Sequence, residues 1–278
     1  MFQNCSSLNS ITCLATDINA TSCLNNWVSG VAASGTFTKS PNILRAWPTG
    51  NSGIPTGWQT VDTECDYSKQ GFTIVSLSDN NTISVKGYYG YNMDRTISYS
   101  VNNGISWSTV SVSGGNTKTL ATLNTGDRIL VKGMYSGGSS NYSTFVSTDD
   151  FKVEGNLLSL YYSDFINVNS LTNYIFCSLF SGCTHLIDAS NLIFPLLTGL
   201  NSYDYMFKDC IGLVSAPELP ATTLQQYCYR YMFSGCKNLI IAPELPATTL
   251  AAYCYYGMFS DCISLVTAPE LPATTLVS

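Results

Sequence analysis

The chain has 278 residues, with 12 basic and 18 acidic side chains, a formal net charge of −6 and only 11% charged residues. So few cations exclude the basic stripe that nucleic-acid binding needs, while 45% hydrophobic and 12% aromatic residues exclude a disordered chain. A single histidine, His185, argues against histidine triads and histidine-rich zinc sites. No apolar stretch approaches the roughly 18 residues of a membrane span. Met1 to Cys5 has no basic n-region and the first cation is Lys39, so no secretory signal peptide is expected in the chain as given.

Residues 1–64 open with Met1-Phe2-Gln3-Asn4-Cys5-Ser6-Ser7-Leu8, a string that returns further along the chain. Thr21-Ser22 then precede a stripe of Leu24, Trp27, Val28 and Val31, which predicts one amphipathic helix ending between Gly30 and Gly35. Trp47-Pro48-Thr49-Gly50 and Gly53 to Trp58 are turn-rich and carry two anchoring tryptophans. The segment reads as the end of a repeat array plus its cap, and Asp62, Glu64 and Asp66 as an acidic cluster at a domain junction, either solvated or facing a cation.

Residues 65–155 switch to a period of two. Thr82 to Lys86 and Arg95 to Val101 alternate, and Asn102-Asn103-Gly104 leading into Ile105 to Val110 is a hairpin signal. Lys118 to Leu123 and Arg128 to Met134 continue the pattern across Asn124-Thr125-Gly126-Asp127. Short strands at this density predict a β-sandwich of the immunoglobulin or fibronectin kind.

Residues 156–278 repeat with a period of 26, as Cys210, Cys236 and Cys262 align together with their surroundings. The unit runs Met-Phe-x-x-Cys-x-x-Leu, then Ala-Pro-Glu-Leu-Pro-Ala-Thr-Thr-Leu, then Tyr-Cys-Tyr, from Met206, Met232 and Met258; a divergent copy holds Phe180 and Cys183. Such periodicity implies stacked coils that cannot bury their apolar faces alone. Leu224, Tyr227, Cys228, Tyr231 and Met232 carry helical spacing. Leu213 to Ala216, cut short by Pro217, is the remaining candidate strand. The fold class expected is therefore α+β: a solenoid of 26-residue coils preceded by an all-β sandwich and an array-terminating cap.

The string MFSGCKNLIIAPELPATTL and its copies resemble the BspA-type leucine-rich repeats of bacterial surface and phage-associated proteins. Met232 to Cys236 with Leu239 and Leu245-Pro246 carries the resemblance, which covers roughly 1–15 and 157–278. The departure is the Ala-Pro-Glu-Leu-Pro corner, one residue longer than the commoner form. The middle of the chain is similar to small sandwich modules inserted between such arrays. The resemblance implies an extracellular adhesive or recognition surface, on a bacterial cell or a phage virion, and no catalyst.

The structural columns expected are Phe180, Phe207, Phe233 and Phe259; Cys183, Cys210, Cys236 and Cys262; and Leu213, Leu239 and Leu265. Recurrence at the repeat period makes the cysteines small buried residues, with disulfides between Cys228 and Cys236 or between adjacent coils left open. Tyr203, Tyr229 and Tyr255 lie off the predicted helical stripe and are binding candidates, as exposed aromatic rows suit sugars and partner pockets. Packing between adjacent helices is the competing role. Glu218, Glu244 and Glu270 line one edge, either solvated or facing a cation. His185 is expected in a surface loop.

No cofactor, metal motif or catalytic constellation is expected. The functional expectation is non-enzymatic adhesion to a host or matrix protein or glycan; the alternative is a structural spacer or self-assembling fibre. The chain starts in one coil and stops at Leu276-Val277-Ser278 within another, which suggests a fragment of a longer protein or head-to-tail association.

Overall fold

The computed structural model describes residues 1–13, 15, 18, 22–39, 47–62, 70–87, 95–133, 143–162, 165 and 167–274. Alternating segments fold as strands and repeated segments as turns. The described residues hold twelve strands and one helical element, a four-residue 3-10 turn at Leu157–Leu160 capped by the Asn156 side chain. The protein is all-β, which corrects the expected α+β leucine-rich-repeat solenoid. No helix among the described residues is long and apolar enough to cross a membrane.

Two compact units form, Met1–Asp66 and Tyr67–Ser278. In the first, β1 (Ser10–Cys13), β2 (Thr36–Lys39) and β3 (Gln59–Asp62) make a parallel sheet, with Ser10 opposite Thr36 and Thr36 opposite Gln59. A Cβ at Gly35 would stand 2.3 Å from the Asn9 carbonyl oxygen, so glycine is what lets the chain enter β2 beside β1. Trp27 stacks on Trp47 at 5.8 Å, and Phe37 meets Trp47 edge-on at 5.0 Å. The Trp27 and Trp58 indole N–H groups donate to the Gly53 and Ala32 carbonyls at 2.9 and 2.8 Å, satisfying two buried donors. The helix predicted after Ser22 is absent. Asn25, Trp27 and Ser29 each donate back three residues, with Ser22, Asn26 and Gly30 left-handed, which makes a run of turns.

The second unit holds β4 (Thr73–Ser76), β5 (Asn81–Gly87), β6 (Arg95–Ser100), β7 (Ser108–Val112), β8 (Thr117–Leu123), β9 (Arg128–Lys132), β10 (Ser143–Ser147), β11 (Phe151–Asn156) and β12 (Leu186–Ile193). One sheet is ordered β10-β5-β8 and is antiparallel; the other runs β12-β11-β4-β9-β6-β7, with β11 and β12 parallel. β6 and β7 form the hairpin signalled by Asn102-Asn103-Gly104, where Asn103 and Gly104 have φ of 53° and 84°. Phe72 just before β4, with Ile83, Val85, Ile129, Phe145 and Val153 from both sheets, belongs to one core that continues into the repeats. The strand expected at Leu213 to Ala216 is reduced to an isolated bridge between Ser215 and Asp188.

The Tyr-Cys-Tyr-x-x-Met-Phe segments are ribbons of consecutive turns. Tyr203, Tyr205, Phe207 and Asp209 donate their backbone N–H groups to Cys228, Arg230, Met232 and Ser234 of the next copy at 2.8–3.0 Å. The alternating residues Asp204, Met206, Lys208 and Cys210 donate back three residues at 3.1–3.4 Å. Every fourth residue is left-handed: Asn201, Tyr205 and Asp209 at φ 54° to 59°, then Tyr227, Tyr231 and Gly235, then Tyr253, Gly257 and Asp261. Side chains consequently alternate largely two inward and two outward. Cys228, Tyr229, Met232 and Phe233 are buried, whereas Tyr227 and Tyr231, placed on the core side by the helical reading, face outward.

Candidate functional site

The repeat columns superpose. Phe180, Phe207 and Phe233 are fully buried, and successive rings from Phe180 to Phe259 stack at 5.3, 5.3 and 5.7 Å with interplanar angles of 11°, 2° and 3°. Phe145 extends the stack at 5.7 Å from Phe180. Leu213 and Leu239 are fully buried and Leu265 half-buried.

The column thiols bond across copies. Cys183 donates to the Phe145 carbonyl at 2.7 Å, Cys210 to Phe180 at 3.0 Å, Cys236 to Phe207 at 3.1 Å and Cys262 to Phe233 at 3.0 Å. Burial pushes the Cys183 thiol up to about 12 and raises Cys210, Cys228 and Cys236 in the same direction. Cys228 and Cys236 are both free thiols and form no disulfide.

The tyrosine column considered for binding lies inside. Tyr203 and Tyr229 are 0% and 1% exposed, their rings 5.4 Å apart, and Tyr255 is half-buried. Tyr203 donates its hydroxyl to the Leu197 carbonyl at 3.1 Å, while the buried Tyr229 hydroxyl has no partner among the described residues. Glu218, Glu244 and Glu270 are exposed and do not converge on a common cluster of ligand atoms. The side chains of Asp62, Glu64 and Asp66, and residues 275–278 of the terminal association considered above, lie outside the described residues.

His185 is half-exposed, with Nδ1 3.1 Å from the Asp150 carboxylate. With Asp149 it forms the one group of metal-ligating types among the described residues, their ligand atoms within 4.8 Å of one another. Asp149 already accepts from the Asp150 N–H and the Ser78 hydroxyl, each at 2.8 Å, and these bonds lower its pKa.

The outward side of the ribbons holds what the sequence reading missed. The left-handed positions present Tyr174, Tyr205, Tyr227, Tyr231 and Tyr253. Tyr205 stacks on Tyr231 at 5.2 Å and 14°, and Tyr227 on Tyr253 at 5.2 Å and 9°. The Tyr205 column stops at Gly257, where a Cβ would come within 2.4 Å of the Tyr231 ring.

Tyr174, Tyr205 and Tyr227 line a groove of about 990 Å³ whose opposite wall is Lys86 and Gly87 of β5 and Ser143 and Thr144 of β10. At the ribbon wall sits Asp204, 2% exposed. It accepts from Arg230 Nε at 3.1 Å, Arg230 Nη2 at 2.6 Å and Asn201 Nδ2 at 3.1 Å. The Arg230 guanidinium carbon lies 4.7 Å from the Tyr227 ring centre and 5.3 Å from that of Tyr205. Its hydrogen bonds to Asp204 hold Arg230 still more firmly protonated than usual. A guanidinium forked onto a buried carboxylate, with adjoining rings, thus makes one wall of the groove, with Lys86 and Lys208 as further donors. The signal for this face is the Tyr-x-Tyr spacing in Tyr203-Asp204-Tyr205 and Tyr227-Cys228-Tyr229-Arg230-Tyr231, which sends alternate rings to opposite sides once the segment is a ribbon.

The chain matches no family model, and no curated protein or solved structure shows significant similarity to it.

Proposed function

We propose that this chain is a non-enzymatic extracellular recognition module that binds a host or matrix protein or glycan through the outward side of its repeats. The observation that carries the reading is the groove, where three tyrosines and the Asp204–Arg230 pair converge on one 990 Å³ opening. Tyrosine offers large contact area with few rotatable bonds. Stacking between copies orients the rings before a ligand arrives, which lowers the ordering cost of binding. The column thiols are held protonated and so are poor nucleophiles, in keeping with a non-catalytic role. Display on a bacterial surface or phage virion rests on the motif resemblance to BspA-type repeats.

Tyr205→Ala and Tyr227→Ala test the reading against a panel of immobilised glycans and matrix proteins, with thermal melting in parallel. At least about a tenfold loss of binding is expected for each. Unchanged binding in both variants would leave the groove without a role and favour a spacer or self-assembling fibre.

A further inference from the structure

Taking the groove as the binding site, we infer that its ligand is an acidic saccharide, a sugar chain bearing carboxylates, rather than a protein surface. The lining contains no aliphatic side chain and no phenylalanine. Protein partners commonly seat a large anchor in a dry apolar pocket, whereas here the apolar surface is mainly that of the tyrosine rings, interleaved with hydroxyls and charged groups. What it presents instead is phenol rings and the half-exposed hydroxyls of Thr144, Ser178 and Ser181. A sugar has the complementary surface, with C–H faces that lie on aromatic rings and hydroxyls that exchange hydrogen bonds with polar side chains.

Charge selects within that class. The lining carries three cations, Lys86, Lys208 and Arg230, against one carboxylate, Asp204; with Asp209, which pairs with Lys208, counted as well, a local excess of one positive charge stands out in a chain of net charge −6. Asp204 engages only Nε and Nη2 of Arg230, two of its five N–H donors. Lys86 has no ion-pair partner among the described residues, and Lys208 pairs only with the exposed Asp209 at 2.8 Å. Such a solvated pair contributes little and is readily exchanged for a ligand carboxylate. Three donors around one groove of tyrosines therefore favour an anion carried on a hydroxylated, ring-faced scaffold.

Calorimetric titration of the full chain tests this with four probes: trigalacturonate against maltotriose, and 3′-sialyllactose against lactose. The expected result is at least one acidic probe bound about tenfold or more tightly than its neutral counterpart, the worth of a charge-assisted hydrogen bond, with affinity falling as salt rises. Which acidic probe binds distinguishes a uronate from a sialate. Lys86→Gln and Lys208→Gln are each expected to weaken the acidic probe about tenfold, while Lys237→Gln, an exposed lysine outside the groove, leaves it unchanged. Lys86 is exposed and Lys208 pairs only with exposed Asp209, so these variants stay informative where Arg230→Gln, which strands buried Asp204, does not. Equal affinity for acidic and neutral probes overturns the acidic specificity and leaves the recognition reading standing. Binding of no saccharide, with a matrix protein held in a Tyr205-dependent way, overturns the saccharide and keeps recognition. Binding of nothing on either panel overturns both.

Discussion

A tyrosine in the left-handed region carries a steric penalty of roughly 1–2 kcal/mol, and Tyr174, Tyr205, Tyr227, Tyr231 and Tyr253 all sit there. Ladder hydrogen bonds on either side and ring stacking at 5.2 Å offset the penalty, so these outward rings belong to the fold as well as to the groove. Two buried polar groups separate by their partners. The Tyr229 hydroxyl has none among the described residues, and an unsatisfied buried hydroxyl costs on the order of 1–3 kcal/mol. Tyr229→Phe is therefore expected to leave the melting temperature unchanged or raised, whereas Tyr229→Ala lowers it by opening a cavity. Asp204, by contrast, depends on Arg230: Arg230→Ala leaves a carboxylate 3% exposed with one amide donor and is expected to cost about 2 kcal/mol in denaturant unfolding.

The ribbon explains why a helix was read where none forms. An α-helix advances about 100° per residue, so positions four apart drift about 40° each step. Leu224, Cys228, Met232 and Cys236 keep a spacing of four and are all buried, which a straight helix does not allow over that length. An aspartate or glycine, residues that tolerate the left-handed region, stands directly before each of Cys210, Cys236 and Cys262, and Asp209, Gly235 and Asp261 adopt it at φ 59°, 77° and 60°. The signal for the left-handed tyrosines was weaker, because an aromatic residue has no intrinsic preference for that region. Phe207, between two rings at 5.3 Å, tests the element. Phe207→Ala is expected to lose about 3–5 kcal/mol, measured by urea unfolding, while a loss below about 1 kcal/mol would mean that the stack is not what joins the copies.

Across the second unit one core runs from Phe72, just before β4, and Phe145 in β10 to Phe233 in the repeats, so strands and ribbons stabilise each other. The same burial makes that unit alkali-sensitive. Thiols and phenols whose folded pKa is raised keep their protons in the native state, while the unfolded chain releases them at ordinary values. For Cys183 the stabilisation is complete below about 9 and is lost as pH climbs toward about 12. Cys210, Cys236, Tyr203 and Tyr229 act in the same sense. The denaturant midpoint is expected to fall above pH about 9, and a midpoint that holds to pH about 11 would contradict the burial of these groups. Below that window Cys5 and Cys23, both exposed, are expected to react with a thiol reagent in the native state, and Cys210 and Cys236 only after unfolding.

Period-two alternation placed β5 and β8 within a residue, at Thr82 to Lys86 and Lys118 to Leu123, because a half-buried strand writes its two faces into neighbouring residues, while β4, β10 and β11 lie outside the alternating segments it picked out. The 26-residue recurrence likewise identified Phe207, Phe233 and Phe259 as equivalent positions, since stacked copies need the same side chain at the same height. Which tyrosines face outward was decided only by tertiary structure. Backbone N–H groups of alternate residues find their acceptors 25 or 26 residues away, and that non-local ladder, absent from any local pattern, holds the segment as a ribbon. The groove is likewise tertiary, because Lys86 and Thr144 reach Tyr205 and Arg230 only through sheet pairing and a shared core.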